Sequence, residues 1–220
     1  EKRPGQSLVA AGCLAQRYGD EIRRHVPEVD AIIGTRSWPE IVDLVDRLEN
    51  REAPRVWQGG GRNLVTSVHR RPTSGATAYV KIADGCSASC AFCAIPLIKG
   101  PQRSKPEQEI VREAQELVEQ GVREIILIAQ NTTAYARDLG KRDALPDLLI
   151  RLADKVPELD WLRILYAYPQ DVPPRLIETM AHLPQVCHYL DLPLQHGHPD
   201  VLRRMGRPQD VEGVLQLIKD

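Results

Sequence analysis

The sequence has no excess of charge of either sign: 29 Lys and Arg stand against 30 Asp and Glu, for a formal net charge of -1. That balance gives no global drive toward nucleic acid or an anionic membrane, so any such partner has to be met by a local patch. No apolar run is long enough to cross a bilayer, and nothing at the start reads as a secretory signal. The five cysteines are odd in number and three are clustered, which points to a reducing, cytoplasmic setting. An initiator methionine is also missing, and the chain stops inside VEGVLQLIKD, where Val211, Val214, Leu215 and Ile218 are spaced as a helix under way. A fragment of a longer protein is expected. Its 220 residues, 42% of them hydrophobic, are enough to bury a real core in one large domain or two small ones.

One further absence carries chemistry. The stretch GCSASCAFCAIP, Gly85 to Pro96, holds three cysteines as C-x3-C-x2-C with no neighbouring histidine or cysteine to complete a closed set of four ligands. Three thiolates on one short loop can each hold one iron of an iron-sulfur cubane and leave a fourth iron open to substrate. The competing readings are a zinc knuckle that borrows a distant ligand such as His188, and three unrelated buried thiols.

Along the chain, residues 1–50 read as strand SLVAAG, a helix from Leu14 to His25, strand DAIIG and a helix from Trp38 to Leu48, the rear part of a small α/β domain. Residues 51–77 are rich in Arg, Gly, Pro, Ser and Thr without a sustained period and read as a linker. Residues 78–220 then alternate strand and helix: AYVKI, the cysteine loop, a helix opened by a Ser104/Glu107 capping box, EIILIA, LPDLLIRLADKV, WLRILYA, PPRLIETMAHL, VCHYLDLPL and a short helix at Val201–Met205. Four successive βα units imply a parallel sheet with helices outside, arranged as an open or closed barrel. The cysteine loop, Gln130–Tyr135, Tyr166–Asp171 and Leu194–His198 all follow strand ends, where parallel α/β proteins bind ligands.

At this point the residues resemble a known family. C-x3-C-x2-C with the aromatic Phe92 before the last cysteine resembles the signature of the radical S-adenosylmethionine enzymes. KIADGCSASCAFCAIPLIKGPQRSKP, ILIAQNTTAYARDLG, WLRILYAYP and YLDLPLQHGHPDVLRRMGRP resemble its methylthiotransferase branch, of the RimO type that modifies an aspartate of small-subunit ribosomal protein twelve. The resemblance implies an α/β fold: a partial radical-SAM (βα) barrel preceded by part of a small α/β methylthiotransferase N-terminal domain. It implies a [4Fe-4S] cluster on Cys86, Cys90 and Cys93 that binds S-adenosylmethionine, and radical transfer of a methylthio group to the β-carbon of the aspartate. Cys13, alone in AGCLAQRYGDEI, matches a cysteine that holds a second [4Fe-4S] cluster in the family, whose other two ligands would lie upstream of Glu1. A reductant protein such as flavodoxin or ferredoxin, no membrane partner and a monomeric state complete the expectation.

Other residues carry weaker signals. Gln130 and Gln195, neutral amides after strands, suit hydrogen bonds to a cofactor's ribose or carboxylate, and Phe92 joins them as a cofactor-side residue. Cys187 reads as a core thiol, and Trp161 and Leu165 as core. His196 and His198 read as solvated or hydrogen-bonded loop residues rather than a metal pair. Arg23, Arg24, Arg70, Arg71, Arg203, Arg204 and Arg207 read as solvated surface. A related branch of the MiaB type modifies a transfer-RNA adenosine. The loops YAYPQD and DLPLQHG resemble the ribosomal-protein branch more, although Asn131 stands where an aspartate is usual there and Ala136 where glycine is. A non-enzymatic zinc or iron-sulfur binding module is the alternative of another class.

Overall fold

The computed structural model of the protein describes residue 3, residues 5–50 and residues 75–219. Among these the chain separates into two compact units, one holding the residues up to 50 together with Leu97–Gly100, the other the remaining residues from 75 onward. The sequence-based linker, 51–77, lies almost wholly outside the described residues, as do Arg70 and Arg71.

In the first unit, β1 (Val9–Gly12) pairs in parallel with β2 (Ala31–Gly34), and α1 (Cys13–His25) connects them. Ile32 and Ile33 are buried, and Ala31, Ile33 and Leu44 make a small core with α2 (Ile41–Glu49). A single 3-10 turn at Trp38–Glu40 precedes α2, because Pro39 fixes the entry into the helix but supplies no donor.

The second unit is built on a four-stranded, all-parallel sheet in the order β3 (Thr77–Lys81), β6 (Glu124–Ile128), β7 (Trp161–Ile164), β8 (Val186–Leu190). A small antiparallel ladder, β4 (Ala83–Asp84) with β5 (Arg103–Ser104), brackets the cysteine loop in the sequence, and the short α3 (Ile95–Lys99), whose residues from Leu97 onward belong to the first unit, follows that loop. The crossover helices are α4 (Glu107–Glu119), α5 (Ala144–Lys155) and α6 (Pro174–His182), and α4 packs on α5 and α5 on α6. Ile110, Ala114 and Leu117 of α4 and Leu145, Leu148, Leu149 and Leu152 of α5 meet Val80, Ile125, Leu127, Leu162 and Ile164 of the sheet in one core. Each fully buried Leu or Ile there contributes about 1.5–3 kcal/mol relative to exposure.

Three sequence expectations change. The Ser104/Glu107 capping box does not form: α4 begins after Pro106 with no side-chain cap. Ser104 belongs to β5, where its Oγ accepts from the Ala136 N–H at 2.8 Å. Trp161 is exposed rather than core and Leu165 only half-buried, because alternate β7 residues face away from the helices: Leu162 and Ile164 point into the core while Trp161 and Arg163 occupy the other face. There Arg163 pairs with Glu124 of the neighbouring strand at 2.9 Å. After β8 come α7 (Pro199–Arg204) and α8 (Val211–Lys219).

Candidate functional site

The cysteine loop leaves the sheet after β3 and returns along β5, so its three thiols stand at the carboxyl end of the first strand of the sheet. Cys86, Cys90 and Cys93 are free and partly buried. The loop folds on itself through the Cys93 N–H to the Cys90 carbonyl (3.1 Å), and the Ala88 N–H approaches Cys86 Sγ at 3.4 Å.

Loops from three strand ends are laced together beside it. The Thr132 N–H donates to the Tyr166 carbonyl (3.1 Å), the Tyr168 N–H to Thr133 Oγ1 (3.0 Å), and the Ala167 N–H to the Asp191 carbonyl (2.9 Å). Gln102 closes the other side: its N–H donates to Ser87 Oγ (3.1 Å) and its Nε2 to the Ala134 carbonyl (2.7 Å). Between these loops lies a cavity of about 670 Å³, within the size range of small-molecule sites. Its walls include Ser87–Ser89 of the cysteine loop, Asn131, Tyr168, Asp171 and Arg207.

The wall is charged but internally balanced. Asp171 accepts from Asn131 Nδ2 at 2.9 Å and pairs with Arg137 at 2.7 Å. Asn131 Oδ1 in turn accepts from Thr133 Oγ1 (2.8 Å) and the Ala134 N–H (3.2 Å). Burial pushes the Tyr168 hydroxyl above its ordinary range, against the opposing pull of Arg207. Among the described residues three buried side-chain polar atoms have no hydrogen-bond partner in the protein: Thr35 Oγ1 of the first unit, and, in the second, Gln130 Oε1 just after β6 and Arg207 Nε on the cavity wall. Buried polar atoms without partners mark places where a ligand or water completes the set.

The donor set and its surroundings fit an iron-sulfur cluster. Three soft thiolate donors lie on one loop, beside a polar cavity with an unmet donor. Among the described residues no three His, Cys, Asp or Glu side chains converge on one metal ion.

The remaining sequence candidates fall in different places. Gln195 is exposed, takes a left-handed backbone (φ 74°) and lines a separate cavity of about 360 Å³ with His196, Leu202, Val211 and Leu215. Phe92 is half-exposed and faces Arg207. His196 Nδ1 accepts the His198 N–H (2.9 Å) and His198 Nδ1 accepts the Asp200 N–H (3.2 Å), so both imidazoles order their own loop. Cys187 is partly buried on β8, and burial pushes its thiol up. Cys13 is exposed at the first residue of α1. Sequence reasoning missed Arg207, assigned to solvated surface and found half-buried against two aromatic rings; it also missed Asn131, Arg137 and Asp171 as a network. Only MGRP, whose glycine adjoins the arginine, carried a signal for the first.

Comparison with known proteins bears on the same region. The model of the radical SAM superfamily matches residues 80–220. The chain is similar to the ribosomal protein uS12 methylthiotransferase RimO of Chloroflexus aurantiacus, 47% identical over all of this chain and 51% of the relative. It is likewise similar to that of Herpetosiphon aurantiacus, 46% identical over 99% of this chain and 53% of the relative. The chain thus spans about half the length of the curated relatives it matches. A solved structure of the radical S-adenosylmethionine methyltransferase TsrM from Kitasatospora setae, with cobalamin and a [4Fe-4S] cluster bound, aligns with a TM-score of 0.53. That alignment covers 70% of this chain and 32% of TsrM at 16% identity, a likeness of fold alone. With the family model matching residues 80–220, more than half of the sequence and all of the cysteine loop, the chain belongs to the radical SAM superfamily.

Proposed function

We propose that this chain is the cofactor-binding part of a radical methylthiotransferase that adds a methylthio group to the β-carbon of an aspartate of small-subunit ribosomal protein uS12. The observation that carries the reading is the placement of Cys86, Cys90 and Cys93 on one loop at a strand end, against a polar cavity of about 670 Å³. The RimO relatives, 44–47% identical over 99–100% of this chain in four cases, supply the substrate.

When bound, a [4Fe-4S] cluster supplies the electron that cleaves S-adenosylmethionine to a radical able to abstract an unactivated hydrogen. The chain's own residues have simpler tasks. Cys86, Cys90 and Cys93 hold the cluster, and the Gln102 bond to Ser87 keeps the loop against the cavity. Asn131, Arg137 and Asp171 offer a preorganised wall of donors and acceptors for a polar nucleoside, with the Asp171 charge already neutralised. Gln130, with its buried unpartnered Oε1, remains a cofactor-side candidate, as do Phe92 and Gln195.

Residues 1–50, with Cys13, form the second functional part, and 78–220 the barrel part. Cys13 contributes to a second [4Fe-4S] cluster. A flavodoxin- or ferredoxin-like reductant, a monomeric state and a cytoplasmic location go with this reading; among the described residues no helix is long and apolar enough to cross a membrane.

The test is anaerobic reconstitution followed by mass spectrometry. Protein loaded with iron and sulfide and given S-adenosylmethionine and a strong reductant is expected to release 5′-deoxyadenosine. Cells lacking the gene are expected to lose a methylthio mark from uS12 and keep their transfer-RNA modifications. Loss of the mark from transfer RNA alone overturns the substrate. Zinc in place of iron and no 5′-deoxyadenosine overturn the reaction.

A further inference from the structure

The middle of the cysteine loop is gripped by the three residues that follow α7. The Ala91 N–H donates to the Met205 carbonyl at 2.9 Å. Gly206 takes a left-handed backbone (φ 66°), and a Cβ there would stand 2.7 Å from the Ser89 carbonyl oxygen and 3.6 Å from Cys90 Cα. Only glycine allows both that conformation and that approach. The Arg207 N–H donates to the Leu202 carbonyl at 2.8 Å and fastens the segment back onto its helix.

The Arg207 side chain continues the grip. Its guanidinium lies 4.4 Å from the Tyr168 ring centre and 5.9 Å from that of Phe92, the residue just before Cys93. Its charge therefore meets aromatic faces rather than a carboxylate, and its Nε is buried without a partner. A cation held this way is partly desolvated, so its field on neighbouring groups is screened less than that of a surface arginine.

We propose that Arg207 is a positioning residue for the cysteine loop, and that its charge raises the reduction potential of the iron-sulfur cluster held there. The inference rests on the cluster reading above. Three thiolates give such a centre negative charge, and one more electron adds to it. A fixed guanidinium nearby stabilises the reduced state more than the oxidised one, and cluster potentials respond to net local charge. No neutral residue at 207 supplies this. Lysine keeps the charge but loses the planar stacking on Tyr168.

The experiment first measures iron and sulfide per chain in reconstituted wild-type protein, then the midpoint potential by redox titration followed by electron paramagnetic resonance. Absence of iron and sulfide from the wild type sinks the cluster reading, and this proposal with it. With the cluster present, Arg207→Met is expected to shift the midpoint to more negative potential, or to fail to retain the cluster. Arg207→Lys is expected to keep the cluster and recover most of the potential. Gly206→Ala is expected to lower iron retention while far-ultraviolet circular dichroism stays at the wild-type level. A wild-type potential and iron content in Arg207→Met overturns the proposal, as does an equal deficit in the Met and Lys variants, which would make residue 207 a packing residue only.

Discussion

Asn131 donates through Nδ2 to Asp171 Oδ2 at 2.9 Å, tying the loop after β6 to the loop after β7 on the wall of the cavity. An aspartate at 131 would keep the acceptor that holds Thr133 and Ala134 but would face Asp171 with a second carboxylate. The variant loses the Asn131 donor and sets a carboxylate against Asp171, an unfavourable contact that the Arg137 guanidinium at 2.7 Å offsets only in part. Asn131→Asp is therefore expected to cost about 1–3 kcal/mol near neutral pH. Urea unfolding of the variant beside the wild type at pH 7 checks it: a wild-type midpoint would show that the bond to Asp171 contributes nothing.

Lys105 and Glu113 form an ion pair whose side chains are 7% and 8% exposed. Removing one partner strands a buried charge, so Lys105→Met is expected to destabilise by about 3–5 kcal/mol. The double variant Lys105→Met, Glu113→Leu removes both charges and is expected to regain most of that. Thermal or urea unfolding of the two variants side by side measures the difference. A double variant no better than the single one would mean that the pair's worth lies in packing.

Tyr135 is buried and donates to the Lys105 carbonyl at 2.9 Å. Its hydroxyl is pushed up from the ordinary value near 10, first by burial and then by Glu107 and Asp138. The raised folded pKa means that its stability contribution is fully present below about pH 10 and declines above it, where the unfolded chain ionises first. Tyr135→Phe is expected to cost about 0.5–1.5 kcal/mol at pH 7. It is also expected to flatten the fall in stability between pH 10 and 11, followed by unfolding at graded alkaline pH. A steeper fall in the variant would contradict the assignment.

The sheet was legible because strand-like apolar runs recur at loop-separated intervals: EIILIA announces a buried parallel strand whatever its partners, whereas VCHYL, with only Val186 buried, was legible by its position after a helix more than by its burial. The cysteines were legible because their spacing is local. Ser104 misled because a capping pattern is also local, while the competing bonds to Ala136 and Asp138 come from a loop more than thirty residues away. Trp161 misled because periodicity says which residues share a face of β7 but not which face the helices cover. Asp171, Arg137 and Asn131 were invisible as a group for the same reason: each is an ordinary loop polar until the ends of β6 and β7 are brought side by side.

The five cysteines provide the sharpest division of roles. Cys86, Cys90 and Cys93 share one loop, so Ala at any of them leaves two thiolates and is expected to remove the visible charge-transfer absorbance and at least 90% of 5′-deoxyadenosine release (order of magnitude, since loss of a metal ligand removes the site). Cys187 sits on β8, away from that loop in sequence, with burial pushing its thiol up, and Cys187→Ala is expected to leave iron content unchanged. Cys13 stands in the other compact unit, at the start of α1. If it serves a second cluster, Cys13→Ala in the complete protein reduces iron per chain by about half while cofactor cleavage persists and sulfur insertion into uS12 stops. Iron analysis, 5′-deoxyadenosine quantification and peptide mass spectrometry on the same preparations separate the three groups. Undiminished sulfur insertion in Cys13→Ala would make Cys13 an ordinary thiol, and cleavage that survives in all three loop variants would remove the cluster from this loop.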